Sequence, residues 1–287
     1  MKNVQYKAYE PEVLKKLQNT QLEILKDYIK ICEKYDLDYF MLGGTGIGVV
    51  RHQGFIPWDD DIDVAMPRED YNKLLQVLDK EMGDKYKILT PLVDKNYACN
   101  VTHLQKKGTK FVTYIAKDMK CDLCIDIDIF PLDRMPDDKK KRTRQLRHTW
   151  ILNKMIFLCG TGHPIIPLKG VKKQIASAIC MGIHGFLKLF HVSPRFLYKC
   201  LLREATKYDG EKTKYMNAFE VTMSNRAYIS EEELYPLKKM PFEGIMVNMP
   251  NKYDTYLRRL FGDYMQVPPE EERVNHCPYI LDFGDGE

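Results

Sequence analysis

Four carboxylates, Asp59, Asp60, Asp61 and Asp63, fall within five positions of the stretch GFIPWDDDIDVAMP at residues 54–67. The alternation that begins at Asp61 reads as a β-strand over 61–66, with Asp61 and Asp63 on one face and Ile62 and Val64 on the other. Two carboxylates on one strand face repel each other unless a cation lies between them. Paired hard oxygens on a rigid strand suit magnesium or manganese, with substrate phosphates completing the shell. Asp59 shares their parity but precedes the strand, and Asp60 points the other way; both read as turn or supporting residues. A second acidic run, CDLCIDIDIFPLD at 121–133, repeats the alternation and puts Asp126 and Asp128 on one face. Asp128, with Asp126 as deputy, is the candidate third ligand, as a two-metal site would need. A calcium loop through Asp59, Asp61 and Asp63 is excluded, because its sixth position is Val64 instead of Gly and its twelfth is Asp70 instead of Glu.

Ahead of the acids lies GGTGIG at 43–48. It is neither G-x-x-x-x-G-K-[ST] nor G-x-G-x-x-G. As a strand-to-helix turn it offers bare amides and a helix N-terminus to a phosphate. Amides for phosphate and carboxylates for metal are the parts of a phosphoryl-handling site. Arg51 is a candidate phosphate clamp, set against an ordinary surface arginine. His52 and His276 are candidates for proton transfer.

These groups need elements to hold them. Val13, Leu14, Leu17, Ile24, Leu25, Tyr28, Ile29 and Cys32 recur at helical spacing and predict one amphipathic helix from Pro11 to Tyr35. DYFMLGG reads as a short buried strand closing on the glycine turn, and TGIGVVRHQG as a short helix. After the acidic strand, Pro67 suits a first helical turn, with Tyr71, Leu74, Leu75, Leu78 and Met82 as the stripe behind it. YKILTPL, NYACNVTHLQ and TKFVTYIA read as further strands. Residues 137–215 are basic and helical in pattern, broken at 160–167; from 216 a turn, a short strand and a helix at about 252–262 follow, the helix faced by Tyr253, Tyr256, Leu257, Leu260 and Phe261. The division expected is a catalytic core over 1–135, a helical insertion over 136–215 and a segment over 216–287 that completes the core.

With 287 residues, 44% hydrophobic and 29% charged, the chain has the composition of a folded globular protein. A net charge of +4 is too mild to argue for nucleic acid. The basic stretch DDKKKRTRQLRH (137–148) is either a solvated helix face or a contact for an anionic partner or lipid headgroups. QIASAICMGIHGFLKLF (174–190) is too short to span a bilayer and reads as a buried helix, or as an interfacial helix lying on a membrane. MKNVQYKAYEPEVL has no signal-peptide core and the eight cysteines are scattered, so free thiols and a cytoplasmic location are expected. Cys121 and Cys124 form a single C-x-x-C without the second pair a structural zinc site needs.

Three stretches, LGGTGIGVVRHQGFIPWDDDIDVAMPREDY (42–71), IDIFPLD (127–133) and PFEGIMVNMPNKYDTYLRRLFGDYMQVPPEEERVNH (241–276), together resemble the LicD family of phosphotransferases and, more distantly, fukutin and fukutin-related protein. The resemblance implies an α+β fold with a polymerase-beta-like nucleotidyltransferase core, a mixed sheet flanked by helices, and an inserted helical subdomain. It implies a divalent metal on Asp61 and Asp63 with Asp128 as third acid, and Gly43, Gly44 and Thr45 on the donor-binding turn. Where the family often has paired histidines, this chain has His276 and Cys277. The implied reaction moves a phospho-alcohol, typically phosphocholine from CDP-choline, onto a hydroxyl of a cell-surface glycan, a lipid-linked glycan or a teichoic-acid precursor, at the inner face of the membrane. Asp128 is then the base for the acceptor hydroxyl. Trp58 offers a wall for choline's ammonium, or packs beside the metal strand. Other CDP-alcohols (ribitol, glycerol, ethanolamine), nucleotidyl transfer, and a non-catalytic glycan-binding protein are the alternatives.

Overall fold

The computed structural model describes residues 9–164, 166, 168–221, 225–276 and 278–284. Helix α1 (Pro11–Tyr35) has the bounds its periodicity predicts, and Asp36 closes it in the left-handed conformation. Its buried side carries Leu17, Leu25, Tyr28 and Cys32, but also two amides, Gln18 and Gln21. There follow β1 (Phe40–Met41), α2 (Gly43–His52), β2 (Asp63–Pro67), α3 (Arg68–Met82), β3 (Tyr86–Leu89), β4 (Thr102–Lys106), β5 (Lys110–Thr113) and β6 (Asp126–Met135). Three long helices come next, α4 (Lys139–Gly160), α5 (Gly170–Leu189) and α6 (Pro194–Ala205). The chain then forms β7 (Tyr215–Asn217), β8 (Ile229–Ser230), α7 (Glu231–Leu234), β9 (Lys238–Phe242), β10 (Ile245–Met249), α8 (Tyr253–Phe261) and β11 (Pro278–Asp282).

The main sheet is mixed and runs β1-β2-β6-β4-β3, with β7 and β8 joined to it through β6. Only β2 and β6 pair in parallel among these neighbours, in a register that puts Asp63 opposite Asp128. β6 is long because it serves two partners in succession, β4 over Asp126–Ile129 and β7 over Asp133–Met135, while β2 pairs with it separately. Alternation on β2 is blurred by burial: Val64, Ala65 and Met66 are all fully buried, as expected of a strand covered on both faces.

The strand predicted from Asp61 begins at Asp63. One ladder bond reaches further back, from Asp128 N to Ile62 O at 2.8 Å. The chain leaves the sheet there because the amides of α1 take hold of it: Gln18 donates to Asp59 O at 3.0 Å and Gln21 to Asp60 O at 2.8 Å. Asp122, the first acid of the second run, lies outside β6 and pairs with Lys87.

Ile62, Val64, Ile127 and Ile129 form the middle of one core with Leu74 and Leu78 of α3 and with Tyr256 and Leu257 of α8, so residues beyond 216 pack into the same interior as the N-terminal part. The three long helices have a smaller core of their own around Ile156, Leu187, Leu197 and Leu201. Arg68 ties the start of α3 to β6 through a bidentate pair with Asp133, at 2.5 and 2.8 Å. Near the C-terminus, β11 pairs with β5, an element the sequence did not announce.

Candidate active site

β1 ends at Met41 and the chain turns at once into α2, so the first amides of this helix lie beside the start of β2. The turn is locked by two bonds: Leu42 N donates to Asp63 O, and Asp63 N donates to Thr45 Oγ1, both at 2.9 Å. Thr45 is buried, and its role is to fix the backbone of Asp63. Gly43 has φ +58°, and a Cβ there would lie 2.9 Å from Asp63 Oδ2. Only glycine lets the helix N-terminus and the carboxylate come this close.

Asp60 is fully buried and gathers the far end of the chain. Tyr9 Oη donates to it at 2.6 Å, and His276 reaches it with its backbone N–H and with Nδ1, all at 3.0 Å. The imidazole so held comes within 3.6 Å of Asp61 Oδ2. Asp60 therefore positions a histidine more than two hundred residues away, which no local pattern announces.

On the other side of β6, the antiparallel register of β4 sets His103 opposite Asp128. His103 Nδ1 meets Asp126 Oδ2 at 2.5 Å and its Nε2 lies 3.5 Å from Asp128 Oδ1. Asp126 thus orients His103, and His103 faces Asp128. His103 is a site residue that the sequence reading missed. Its parity in VTHLQ, opposite to that of buried Thr102 and Leu104, was the available signal.

Asp61, Asp63, Asp128, His276, Gly43 and Gly44 line one cavity of about 290 Å³. A larger hollow of about 700 Å³ between α4 and α6 is lined by His148, Ile151, Arg203 and Lys207 without converging carboxylates, so volume alone does not mark the chemistry. Burial raises Asp63 well above the ordinary carboxylate range, and Asp61 and Asp128 add to the rise. Burial likewise pushes Asp128 up to about 7, with His103 opposing and Asp126 and Asp61 reinforcing. Burial also raises Asp61, against the pull of His276. Burial opposes charge on both histidines, yet Asp126 and Asp128 hold His103, and Asp61 and Asp60 hold His276, well above the ordinary imidazole range. Three half-buried carboxylates with a surplus of negative charge and an open cavity between them fit a divalent cation, and they would be its ligands. His103 with Asp126 and Asp128, and Asp60 with Asp61 and His276, are the groups of possible ligands found among the described residues.

Each raised group binds protons more readily in the folded chain than in the unfolded one, so without metal the stability falls as pH rises through about 6 to 8.5. Thermal melting in EDTA is expected to give a lower Tm at about pH 8.5 than at about pH 6, and magnesium to raise it most at the higher pH. A Tm that climbs with pH in EDTA, or that ignores magnesium, would contradict this reading of the site.

The remaining candidates are placed elsewhere. Arg51 spends its guanidinium on the carbonyls of Tyr264 and Gln266, at 2.7 and 3.2 Å, and on His52 Nε2 at 2.9 Å. Neither Arg51 nor His52 is among the residues lining the cavity. Trp58 packs against the main core and carries the Arg273 guanidinium 4.3 Å above its ring, also away from the cavity lining. Cys121 and Cys124 are free thiols. Cys277, beside His276, lies outside the described residues.

Residues 36–157 match the LicD/FKTN/FKRP nucleotidyltransferase domain. Over 280 residues, 92% of this chain and 95% of the relative, the chain is 27% identical to the lipopolysaccharide cholinephosphotransferase LicD of Haemophilus influenzae. It is also 30% identical over 137 residues to an uncharacterised protein of Rickettsia typhi, covering 47% of this chain and 44% of that one.

Proposed function

From the premise that the chain carries a LicD-family domain over residues 36–157, we propose that it is a metal-dependent phosphotransferase with a nucleotidyltransferase-type core. It moves phosphocholine from CDP-choline onto a hydroxyl of a cell-surface glycan such as lipopolysaccharide and releases CMP. The observation that carries this reading is the meeting of three carboxylates with the N-terminal amides of α2 in one cavity. Carboxylates alone would repel a pyrophosphate. Together with a cation and with helix amides they bind one.

Asp61, Asp63 and Asp128 would hold the divalent cation, which when bound neutralises the charge on the pyrophosphate oxygens. The amides of Gly43 and Gly44, unpaired within the helix, orient the phosphate. The acceptor oxygen bonds to the phosphorus that bears the alcohol, the bond from that phosphorus to the bridging oxygen breaks, and CMP departs with the electron pair. Asp128 takes the hydroxyl proton. His103, charged between Asp126 and Asp128, opposes the protonation of Asp128 before that transfer, and His276 presents its positive edge beside Asp61 to the departing phosphate.

The cavity's other walls support choline as the alcohol. They include Phe130, Tyr256, Leu260 and Phe261, and one further acid, Glu220. Glu220 is buried and neither carboxylate oxygen has a hydrogen-bond partner among the described residues. A quaternary ammonium brings charge without donors, which suits aromatic faces and an acid that burial and Asp133 push up to about 8 and that a neighbouring cation would ionise. A polyol would set most of its hydroxyls against the apolar walls. Glu220→Gln is expected to raise KM for CDP-choline about tenfold and to leave KM for CDP-glycerol and CDP-ribitol nearly unchanged. A panel of CDP-alcohols assayed for CMP release tests this, and an equal loss on every donor would remove Glu220 from donor selection.

A further inference from the structure

Among the described residues no single helix is long and apolar enough to cross a membrane; α5 and α6 pass such a test only as a pair bent by 104°. α6 is a core helix, with Leu197, Tyr198 and Leu201 buried. α5 is different. Of its 20 residues only Leu187 is buried. It rests on α4 through Leu187 and through His184, whose Nδ1 lies 2.6 Å from Leu158 O. Val171, Ile175, Ile179, Ile183, Phe186 and Phe190 are all exposed, Ile175, Ile179 and Phe186 to more than half of their surface. At about 100° per residue these six fall within roughly a third of the helix circumference, on the side away from His184 and with Leu187 just past its edge.

The charge around this stripe is of one sign. From Lys139 to Arg203 the chain holds fourteen Lys and Arg and no Asp or Glu. Lys169, Lys172 and Lys173 stand at the start of α5 and Lys188 at its end. A soluble protein partner or a second copy of this chain would bring carboxylates and an apolar patch of its own shape. An anionic bilayer brings a continuous negative surface with hydrocarbon directly beneath it, and an apolar stripe rimmed by lysines matches that order of layers.

We propose that α5 docks the protein on anionic membranes, its Val171–Phe190 stripe entering the interface and the lysines and arginines of the helical unit holding the headgroups. The unit is mechanically joined to the catalytic cavity. On α4, Asn153 donates to Phe219 O at 2.7 Å and accepts from Asn100, which in turn donates to Glu220 O at 3.1 Å. Docking would therefore bring one wall of the cavity near the membrane surface, where a lipid-borne acceptor presents its hydroxyls. The surface stands on its own observations and does not depend on which group is transferred.

The test is flotation of the full-length protein with vesicles of phosphatidylcholine alone and with a quarter phosphatidylglycerol, alongside light scattering for oligomeric state. Binding is expected to the anionic vesicles, at least about tenfold weaker to the neutral ones, and weakened by salt. Ile175→Glu with Ile179→Glu, and separately Phe186→Ser with Leu189→Ser, are each expected to cut vesicle binding about tenfold or more, with Tm and CMP release unchanged. Wild-type protein that ignores anionic vesicles overturns the proposal. So do variants that bind as before, and an α5 face covered in a dimer that both variant pairs split without changing vesicle binding.

Discussion

Asp63→Asn is expected to lower kcat for CMP release by about a thousandfold to ten-thousandfold, a loss of roughly 4–5.5 kcal/mol of transition-state stabilisation. Asp63 is the residue on which the site's geometry converges. Its amide is held by Thr45, its carbonyl by Leu42, and its carboxylate faces Gly43. The amide side chain of Asn keeps the shape and removes the charge that a divalent cation needs. The same substitution relieves repulsion from Asp61 and Asp128, so the metal-free variant should melt no lower than wild type, and magnesium should raise its Tm less. Activity and stability moving in opposite directions separate a ligand from a residue needed for folding. Activity within tenfold of wild type would show that Asp63 is not a ligand.

His103→Gln is expected to lower kcat by about a hundredfold, with KM for the donor little changed. Its imidazole bridges two carboxylates of one strand face, 2.5 Å from Asp126 and 3.5 Å from Asp128. Without its charge, burial and the neighbouring acids are opposed at Asp128 only by the weaker pull of His276, and its pKa rises. The acidic limb of the kcat profile should therefore move to higher pH, a readout that a merely structural role would not shift. Asp126→Asn, which loosens His103 without removing it, should give a smaller loss of kcat, about tenfold. An unshifted pH profile in His103→Gln would leave His103 as a packing residue.

These two residues also show what the sequence could and could not reveal. Asp63 was legible because alternation within one strand is local: side chains two apart share a face whatever the strand packs against. The same holds for α1, whose bounds follow from spacing, and for the glycine turn, where Gly43 adopts the conformation its position demands. His103 depends on register between strands. Which residue of β4 lies opposite Asp128 is fixed by pairing across a chain excursion, and one position of slip would have turned Gln105 or His103 to other neighbours. The Asp60–His276 contact and the capture of Arg51 by the carbonyls of Tyr264 and Gln266 are of the same kind, joining residues more than two hundred positions apart. For Arg51 the sequence suggests a phosphate clamp because an unpaired guanidinium would serve as one; the structure satisfies it with backbone oxygens instead. Glu220 could not be singled out either, since a carboxylate's value for a cationic substrate lies in its burial and its missing partners, and neither has a local signature. For α5 the sequence left open a buried helix or an interfacial one, and the structure leaves a single residue of it buried.

The central claim is that the chain transfers a phospho-alcohol, and the product shows it most directly. The protein is incubated with magnesium, CDP-choline and a lipopolysaccharide or lipid-linked glycan acceptor, and the acceptor is then weighed by mass spectrometry while the released nucleotide is identified. An acceptor heavier by one phosphocholine and an equal amount of CMP are expected, both abolished by EDTA and by Asp63→Asn. An acceptor carrying the cytidine nucleotide, or no release of CMP from CDP-choline, CDP-ethanolamine, CDP-glycerol or CDP-ribitol, would contradict the claim.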